Sequence, residues 1–426
     1  MHIGILGGGL SGVSLQYFLK HHSEILEKEN RIGGLCRTFV KNGFYYDIGG
    51  HILFSENNNI INFIKKVLGR NINYCQRKNE ILFKNKYVKY PFENGIGQLD
   101  KKDAYECLLS FLRNDHPKPV NFKEWIYYTF GNGIAERYLI PYNEKIWKNP
   151  LEEIGLDWVE RVPKPPLEDI VKSAVGIETE GYLHQLHFYY PKEGGIEALI
   201  KALQKKDSSV TTGFEVKKIQ RRGQDWIVSD GNSEKQFDKL VLTIPVKEAV
   251  KYISKIPKKV LDAVNALRHN SVRIILMGVN NESLLNRTAL YIPDRNIVAH
   301  RICYTGYFSK NMVPKGYSSL IAEVTTHAGH PLYNISPSHL TQRVIHELDK
   351  RSIINKRDII CTDVKDIEYA YVIHDLNHKR NTDIIKKFFA SIGVELLGRF
   401  AEFEYINMDE VINRSRKMAD RLNTLR

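Results

Sequence analysis

No apolar run in the 426-residue sequence approaches the roughly 20 residues that a helix needs to cross a bilayer, so no transmembrane segment is expected. Cysteine is scarce and irregular: Cys36, Cys75, Cys107, Cys303 and Cys361 are odd in number and far apart. Such spacing excludes a disulfide framework, supplies no metal ligand set and fits a reducing cytoplasm. A charged and then apolar leader is missing too. The sequence opens on a strand-like run and a glycine loop, so no secretory signal is expected. Acidic residues fall short of basic ones, 49 against 62, leaving a net charge of +13. The basic residues are dispersed and form no recognised nucleic-acid module, which argues against nucleic acid as a partner. The charge remains compatible with nucleotides, polyphosphates, an anionic membrane surface or a merely solvated basic exterior. Repeats, low-complexity tracts and linkers are absent, and the length suits two or three domains.

What is present begins at Ile3. An apolar strand runs into Gly7, Gly9 and Gly12, a helix-like stretch follows, and a second apolar run ends at Glu27. This is the pattern of a dinucleotide-binding βαβ unit. The first glycine makes the tight turn, the second admits the pyrophosphate, and the third lets helix and strand pack closely. The helix N-terminus offers its N–H groups to phosphate, and Glu27 is placed to accept from an adenosine ribose. Arg31, Gly33, Gly34, Arg37 and Thr38 follow directly. Taken alone, the glycine pair could be an ordinary turn.

Along the chain, residues 58–68 have helical apolar spacing and residues 81–92 alternate as a hairpin. Residues 101–171 read as mostly helical, interrupted by Pro117, Pro119, Pro141 and Pro150. Residues 210–246 are β-rich, and the run from Lys239 looks like a return to the parallel sheet. Strands are expected over 272–279, 289–292, 297–304 and 318–325. A helix over 338–350, a strand ending near Tyr371, and a tail with a strand and a final helix complete the pattern. The expected fold is α/β: a Rossmann-like dinucleotide-binding domain (1–80, 185–265 and 376–426), an inserted helical domain (98–184) and an antiparallel β-sheet substrate domain (81–97 and 266–375).

An acid ending the second strand, followed by Arg31-x-Gly33-Gly34-x-x-x-Thr38, resembles flavoproteins of the amine oxidase, protoporphyrinogen oxidase and UDP-galactopyranose mutase superfamily. Asp47-Ile48-Gly49-Gly50-His51 is similar to the flavin-facing segment of the UDP-galactopyranose mutases in particular. Matches continue in order at Tyr90-Pro91-Phe92-Glu93-Asn94, Pro141 to Trp147, Trp158 to Arg161, Tyr190 to Ile196 and Gly398-Arg399-Phe400. The resemblance implies FAD, active when reduced, with NAD(P)H as a candidate reductant. It implies a nucleotide-diphosphate sugar as substrate, UDP-galactose in the simplest case, supplied for a surface polysaccharide. N5 of reduced FAD would attack the anomeric carbon and expel UDP, and the sugar would reclose from a six- to a five-membered ring without net redox change.

By the same resemblance, Arg161 and Arg301 would neutralise the diphosphate, a task suited to a permanently charged planar donor. His51 would act beside the isoalloxazine, by moving a backbone carbonyl or by stabilising anionic flavin. Gly7, Gly9, Gly12, Glu27, Gly33, Gly34, Arg37, Gly49, Gly50, Val216, Arg399, Asn407 and Asp409 would hold the cofactor, with Gly194 and Gly195 completing its cradle. Tyr90, Phe92, Asn143, Trp147, Tyr291, Tyr371 and Tyr405 would line the uridine, diphosphate and sugar. The alternatives to these roles are structural ion pairs and core packing. Glu93, Tyr189 and Gln185 depart from the family pattern, and Glu93 could repel phosphate or read a different base. Three functions therefore stay open: a UDP-galactopyranose mutase or a relative acting on another nucleotide-sugar, a flavin oxidoreductase of the amine oxidase or protoporphyrinogen oxidase type, and a non-catalytic FAD-binding protein. A homo-oligomer is compatible with each.

Overall fold

The computed structural model describes residues 1–179 and 186–425; Gln185 lies outside them. Its first layer is a five-stranded parallel sheet in the order Val394–Leu396, Lys239–Leu242, His2–Leu6, His22–Glu27, Ser209–Thr212. Ile3, Ile5, Leu6 and Leu240 to Leu242 are essentially inaccessible, as expected of strands covered on both faces. Three distant stretches of chain thus meet in one sheet, and the run from Lys239 does return to it. The last helix (Met408–Leu422) lies against the first (Leu10–Phe18). The Asn423 side chain accepts from the Lys20 N–H (2.8 Å) and donates to the Phe18 carbonyl (3.2 Å).

The second layer is a seven-stranded sheet in the order Ile359–Ile373, Arg268–Val279, Ser318–Thr326, Arg301–Cys303, Ala289–Tyr291, Asn79–Phe83, Lys86–Lys89. It is antiparallel except at one seam, where Ala289–Tyr291 runs parallel to Asn79–Phe83. Arg268–Val279, second in that order, is buried from Asn270 onward. The strand expected over 297–304 shrinks to Arg301–Cys303. The buried Lys145 ammonium explains this. It donates to the carbonyls of Ile292 (2.6 Å), Asp294 (2.9 Å) and Ala299 (2.7 Å), holding that stretch as a turn.

The helical part comprises Lys101–Leu112, Phe122–Ile134, Ile140–Trp147 and Leu167–Ala174. Asn121 caps the second of these by accepting from the Glu124 N–H at 3.0 Å. Pro141 does not interrupt the helix. A single wide turn over Ala135–Leu139 precedes it and absorbs the missing N–H, so helical geometry passes through. The helix His378–Ser391 has no counterpart in the sequence expectation. Among the described residues no helix is long and apolar enough to cross a membrane, and no cluster could hold a metal.

Buried titratable groups make stability pH-dependent. Burial holds His51, His269 and His300 down at about 4 and His374 at about 3. Each contributes stability that is lost as pH falls from about 6.5 toward those values. Burial pushes Asp47 up to about 6 and Glu93 up to about 7, so their contributions are present at low pH and are lost as pH rises. Near pH 5 the four histidines outweigh the two acids, giving a net loss of stability on acidification. Thermal unfolding should therefore show Tm falling from pH 7 to pH 5; a rise would contradict the balance.

Candidate active site

Both glycine motifs fold into one cradle. Gly7 has φ +112°. A Cβ on Gly12 would stand 2.1 Å from the Gly7 carbonyl oxygen, so no side chain fits there. The Gly33 N–H donates to the Gly8 carbonyl at 2.8 Å, stitching the second motif to the first. Glu27 closes the cradle: one carboxylate oxygen accepts from the Gly8 N–H (2.7 Å), the other from the Glu29 N–H (3.0 Å). Each oxygen keeps a further lone pair for a ligand. Val216 is buried just beyond Phe214, whose N–H donates to the Glu27 carbonyl at 2.9 Å.

A cavity of about 820 Å³ adjoins the cradle between the two sheets. Gly49, Gly50, His51, Tyr90, Arg161, Tyr291, Arg301, Tyr371, Arg399, Tyr405, Asn407 and Asp409 all line it. Arg161, in the short turn Val159–Arg161, has no carboxylate within ion-pair distance among the described residues; its polar partner is Asn407 at 3.5 Å. Its guanidinium and that of Arg399 stand 5.0 and 4.7 Å from the Tyr405 ring centre. Burial, together with the like charge of Arg399, holds the Arg161 group below its ordinary value. Two cations sharing one ring favour an incoming anion. Arg399 is fixed by the carbonyls of Ile406 (3.0 and 2.7 Å) and Ala370 (3.3 Å).

Arg301 is differently placed. Its Nε and Nη2 donate to Glu323 at 3.0 and 2.7 Å, a bidentate pair across neighbouring strands. Burial opposes the Glu323 charge, but Arg301 wins and holds the carboxyl well below the usual range. The Tyr371 hydroxyl donates to the same carboxylate at 3.1 Å. Tyr90 stacks on Tyr291 with ring centres 4.6 Å apart.

The cradle and cavity fit a flavin dinucleotide on three observations. The first helix has no capping side chain at Gly9, which leaves its N-terminus to a ligand phosphate. Arg37 Nε and His51 Nδ1 are buried without a hydrogen-bond partner. A Cβ on Gly9 would meet only the Gly34 Cα, at 3.9 Å, so the space above it is open. His51 is held neutral by burial and by Arg399. It could serve a cofactor by donating or accepting a hydrogen bond, not as a cation.

Three residues expected at the substrate stand elsewhere. Phe92 is inaccessible, packed on Phe83 and Tyr138. Asn143 donates to the Leu139 carbonyl (2.8 Å) and accepts from Trp147 Nε1 (3.2 Å), and Trp147 packs edge-on against Trp158. None of the three lines the cavity. Glu93 is buried and stands outside the cavity lining. Gly194 and Gly195 follow Tyr190 in a turn built on Thr38 and Asp47, and a Cβ on Gly195 would fall 2.4 Å from Thr38 Oγ1. Tyr189 pairs through its backbone with Leu53. Sequence reasoning passed over Glu323, Tyr142 and Lys145. The signal for Glu323 was available: a lone acid in the otherwise uncharged run Ser318–Thr326 must find a cation when that strand is buried.

The fold is shared with a reduced UDP-galactopyranose mutase at a TM-score of 0.91 and 25% identity, over 99% of this chain and 95% of that one. A putative protoporphyrinogen oxidase from Exiguobacterium shares the fold at a TM-score of 0.78 and 16% identity, over 99% and 98% of the two chains. The UDP-galactopyranose mutase of Mycoplasma genitalium is 30% identical over 173 residues, 37% of this chain and 42% of that protein. That of Mycoplasma pneumoniae is 28% identical over 174 residues, 37% and 43% of the two. The matched stretch therefore spans less than half the length of either curated relative. The flavin containing amine oxidoreductase family matches residues 20–371, and this chain belongs to that family.

Proposed function

We propose that this protein is a flavin-dependent nucleotide-sugar mutase that interconverts UDP-galactopyranose and UDP-galactofuranose. The observation that carries the reading is the cavity wall. It presents Arg161, Arg301 and Arg399 among tyrosines. Glu56, Asp157, Glu160, Asp409 and Glu410 also line the wall, but Arg161 and Arg399 share the face of Tyr405. Arg161 has no carboxylate within ion-pair distance among the described residues, so an anion is favoured at that point. Those groups suit a diphosphate on a polar ring.

The cofactor would be FAD, held by Gly7, Gly9, Gly12, Glu27, Gly33, Gly34 and Arg37 at its dinucleotide end. Gly49, Gly50, His51, Arg399, Asn407 and Asp409 would hold its ring end, and Val216 the adenine side. In its reduced form it supplies a nucleophilic nitrogen. The protein supplies position and charge. Arg161 offers an uncompensated cation to the leaving diphosphate, and Arg301 offers its remaining N–H edge. The Tyr371 and Tyr405 rings lie nearly parallel, 6.1 Å apart, and present a flat wall to the sugar. The Tyr90 and Tyr291 stack faces the base. Reduced nicotinamide is the proposed reductant. Residues 1–80, 185–265 and 376–426 would form the cofactor domain, with 98–184 and 81–97 plus 266–375 inserted.

The test is chromatography of the reduced holoenzyme after incubation with UDP-galactofuranose, other UDP-sugars and dTDP-sugars. Isomerisation only when the flavin is reduced is expected. A flavin that is reoxidised in step with substrate, with no isomer from any sugar, would replace this reading with an oxidoreductase.

A further inference from the structure

Building on the mutase reading, we infer that Glu323 is a positioning residue that clamps Arg301 and the Gly49–Gly50 segment into one frame. The segment beside the cofactor and the arginine facing the diphosphate would then keep a fixed spacing.

The carboxylate stands on Ser318–Thr326, a strand buried at every position, and its side chain is 1% exposed. Arg301 lies directly opposite it in the antiparallel register. Oε1 accepts from Arg301 Nε (3.0 Å), from the Gly50 N–H (3.2 Å) and from the Cys303 thiol (3.5 Å). Oε2 accepts from Arg301 Nη2 (2.7 Å) and the Tyr371 hydroxyl (3.1 Å), with His300 Nε2 at 3.6 Å. One acid thus gathers groups from three separate stretches of chain, around Gly50, His300 to Cys303 and Tyr371. The close approach depends on Gly49, which has φ +85° and whose Cβ would lie 3.3 Å from Oε1. Glu323 occupies two of the guanidinium's three nitrogens, leaving Arg301 Nη1 as the one it does not hold.

The pair is neutral, so Arg301 brings direction to the site more than net charge. Arg161, with no carboxylate partner among the described residues, brings the charge. The two arginines therefore divide a task that their shared residue type would suggest they duplicate.

Glu323→Gln keeps the size and one acceptor but loses the fork, because its amide N–H₂ opposes an arginine N–H. Turnover by the reduced holoenzyme should fall about 100-fold, the scale of a misplaced catalytic contact. UDP affinity, read from the shift of the bound flavin's visible band, should hold or tighten as Arg301 gains free charge. Arg301→Lys cannot form the fork. Combined with Glu323→Gln it should be no slower than the slower single variant, because both act through one interaction.

Multiplied losses in the double variant, unchanged turnover in Glu323→Gln, or UDP affinity falling in step with turnover would each overturn the role. If Glu323→Gln does not fold, Glu323→Asp, which withdraws the carboxylate by one methylene, enters the same cycle under the same criteria. The wild-type enzyme separates the two readings. No isomerisation by wild type defeats the mutase assignment, whereas isomerisation by wild type with additive variants defeats Glu323 alone.

Discussion

Arg161→Ala should lower turnover by about 10²- to 10³-fold, the cost of removing one preorganised donor from a developing negative charge, while the protein stays yellow and its Tm barely moves. The asymmetry follows from what Arg161 touches. It has no carboxylate partner among the described residues, so its removal strands no buried acid; it gives up a 3.5 Å contact to Asn407 and a place over the Tyr405 ring. Arg301→Ala should also abolish turnover with FAD retained, but at a different cost. It leaves the Glu323 carboxylate buried beside Gly50 and Tyr371 without its cation. Breaking a buried pair from one side costs about 3–5 kcal/mol, so a clear fall in Tm is expected for this variant alone. Steady-state rates, flavin absorbance and thermal unfolding on both variants check the contrast. Equal losses of Tm, or an Arg161→Ala enzyme with wild-type rates, would remove the division between the two arginines.

The second large effect concerns the cofactor, and two glycines three residues apart separate packing from binding. Gly12→Ala places a methyl group 2.1 Å from the Gly7 carbonyl oxygen, inside the strand–helix turn itself. Backbone on both sides must move, and the variant should be unstable and colourless. Gly9→Ala meets nothing closer than 3.9 Å within the protein, and Gly9 has φ −74°, which alanine adopts without strain. Its apoprotein should fold with wild-type Tm. Its FAD affinity should nevertheless drop about 10- to 100-fold, the cost of overpacking by one methyl group. Titration of apoprotein with FAD, followed by flavin fluorescence, decides the matter. A Gly9→Ala protein that binds FAD like wild type would show that the pyrophosphate does not pass over this glycine.

These contrasts also explain what could be read in the sequence. The cradle was legible because its constraints fall on contiguous residues: turn, close approach and helix packing each select glycine at a fixed offset from one strand. Arg301, Tyr291 and Tyr371 were reached through the family resemblance, and all three line one cavity. Glu323 was not reached, because its partners are remote: the Gly50 N–H that it accepts from lies 273 residues away. Lys145 sits inside a recognised motif, yet its task is to hold carbonyls about 150 residues on. Block-wise reading also assigned Phe92, Asn143 and Trp147 to the cavity and passed over Tyr142. Within those blocks Tyr142 and Tyr90 line the cavity, while Phe92 packs on Phe83 and Tyr138 and Asn143 bonds within its own helix. A motif marks the segment, whereas the packing of its individual side chains selects which of them line the cavity.

The strand Val394–Leu396 closes the edge of the sheet that starts at His2, and the helix after it covers the first helix. During synthesis, everything before residue 394 leaves the ribosome while Lys239–Leu242 still presents an unpaired apolar edge. The N-terminal cradle is made first and completed last. A chain cut before Val394 should therefore leave that edge open and aggregate instead of yielding a shortened enzyme.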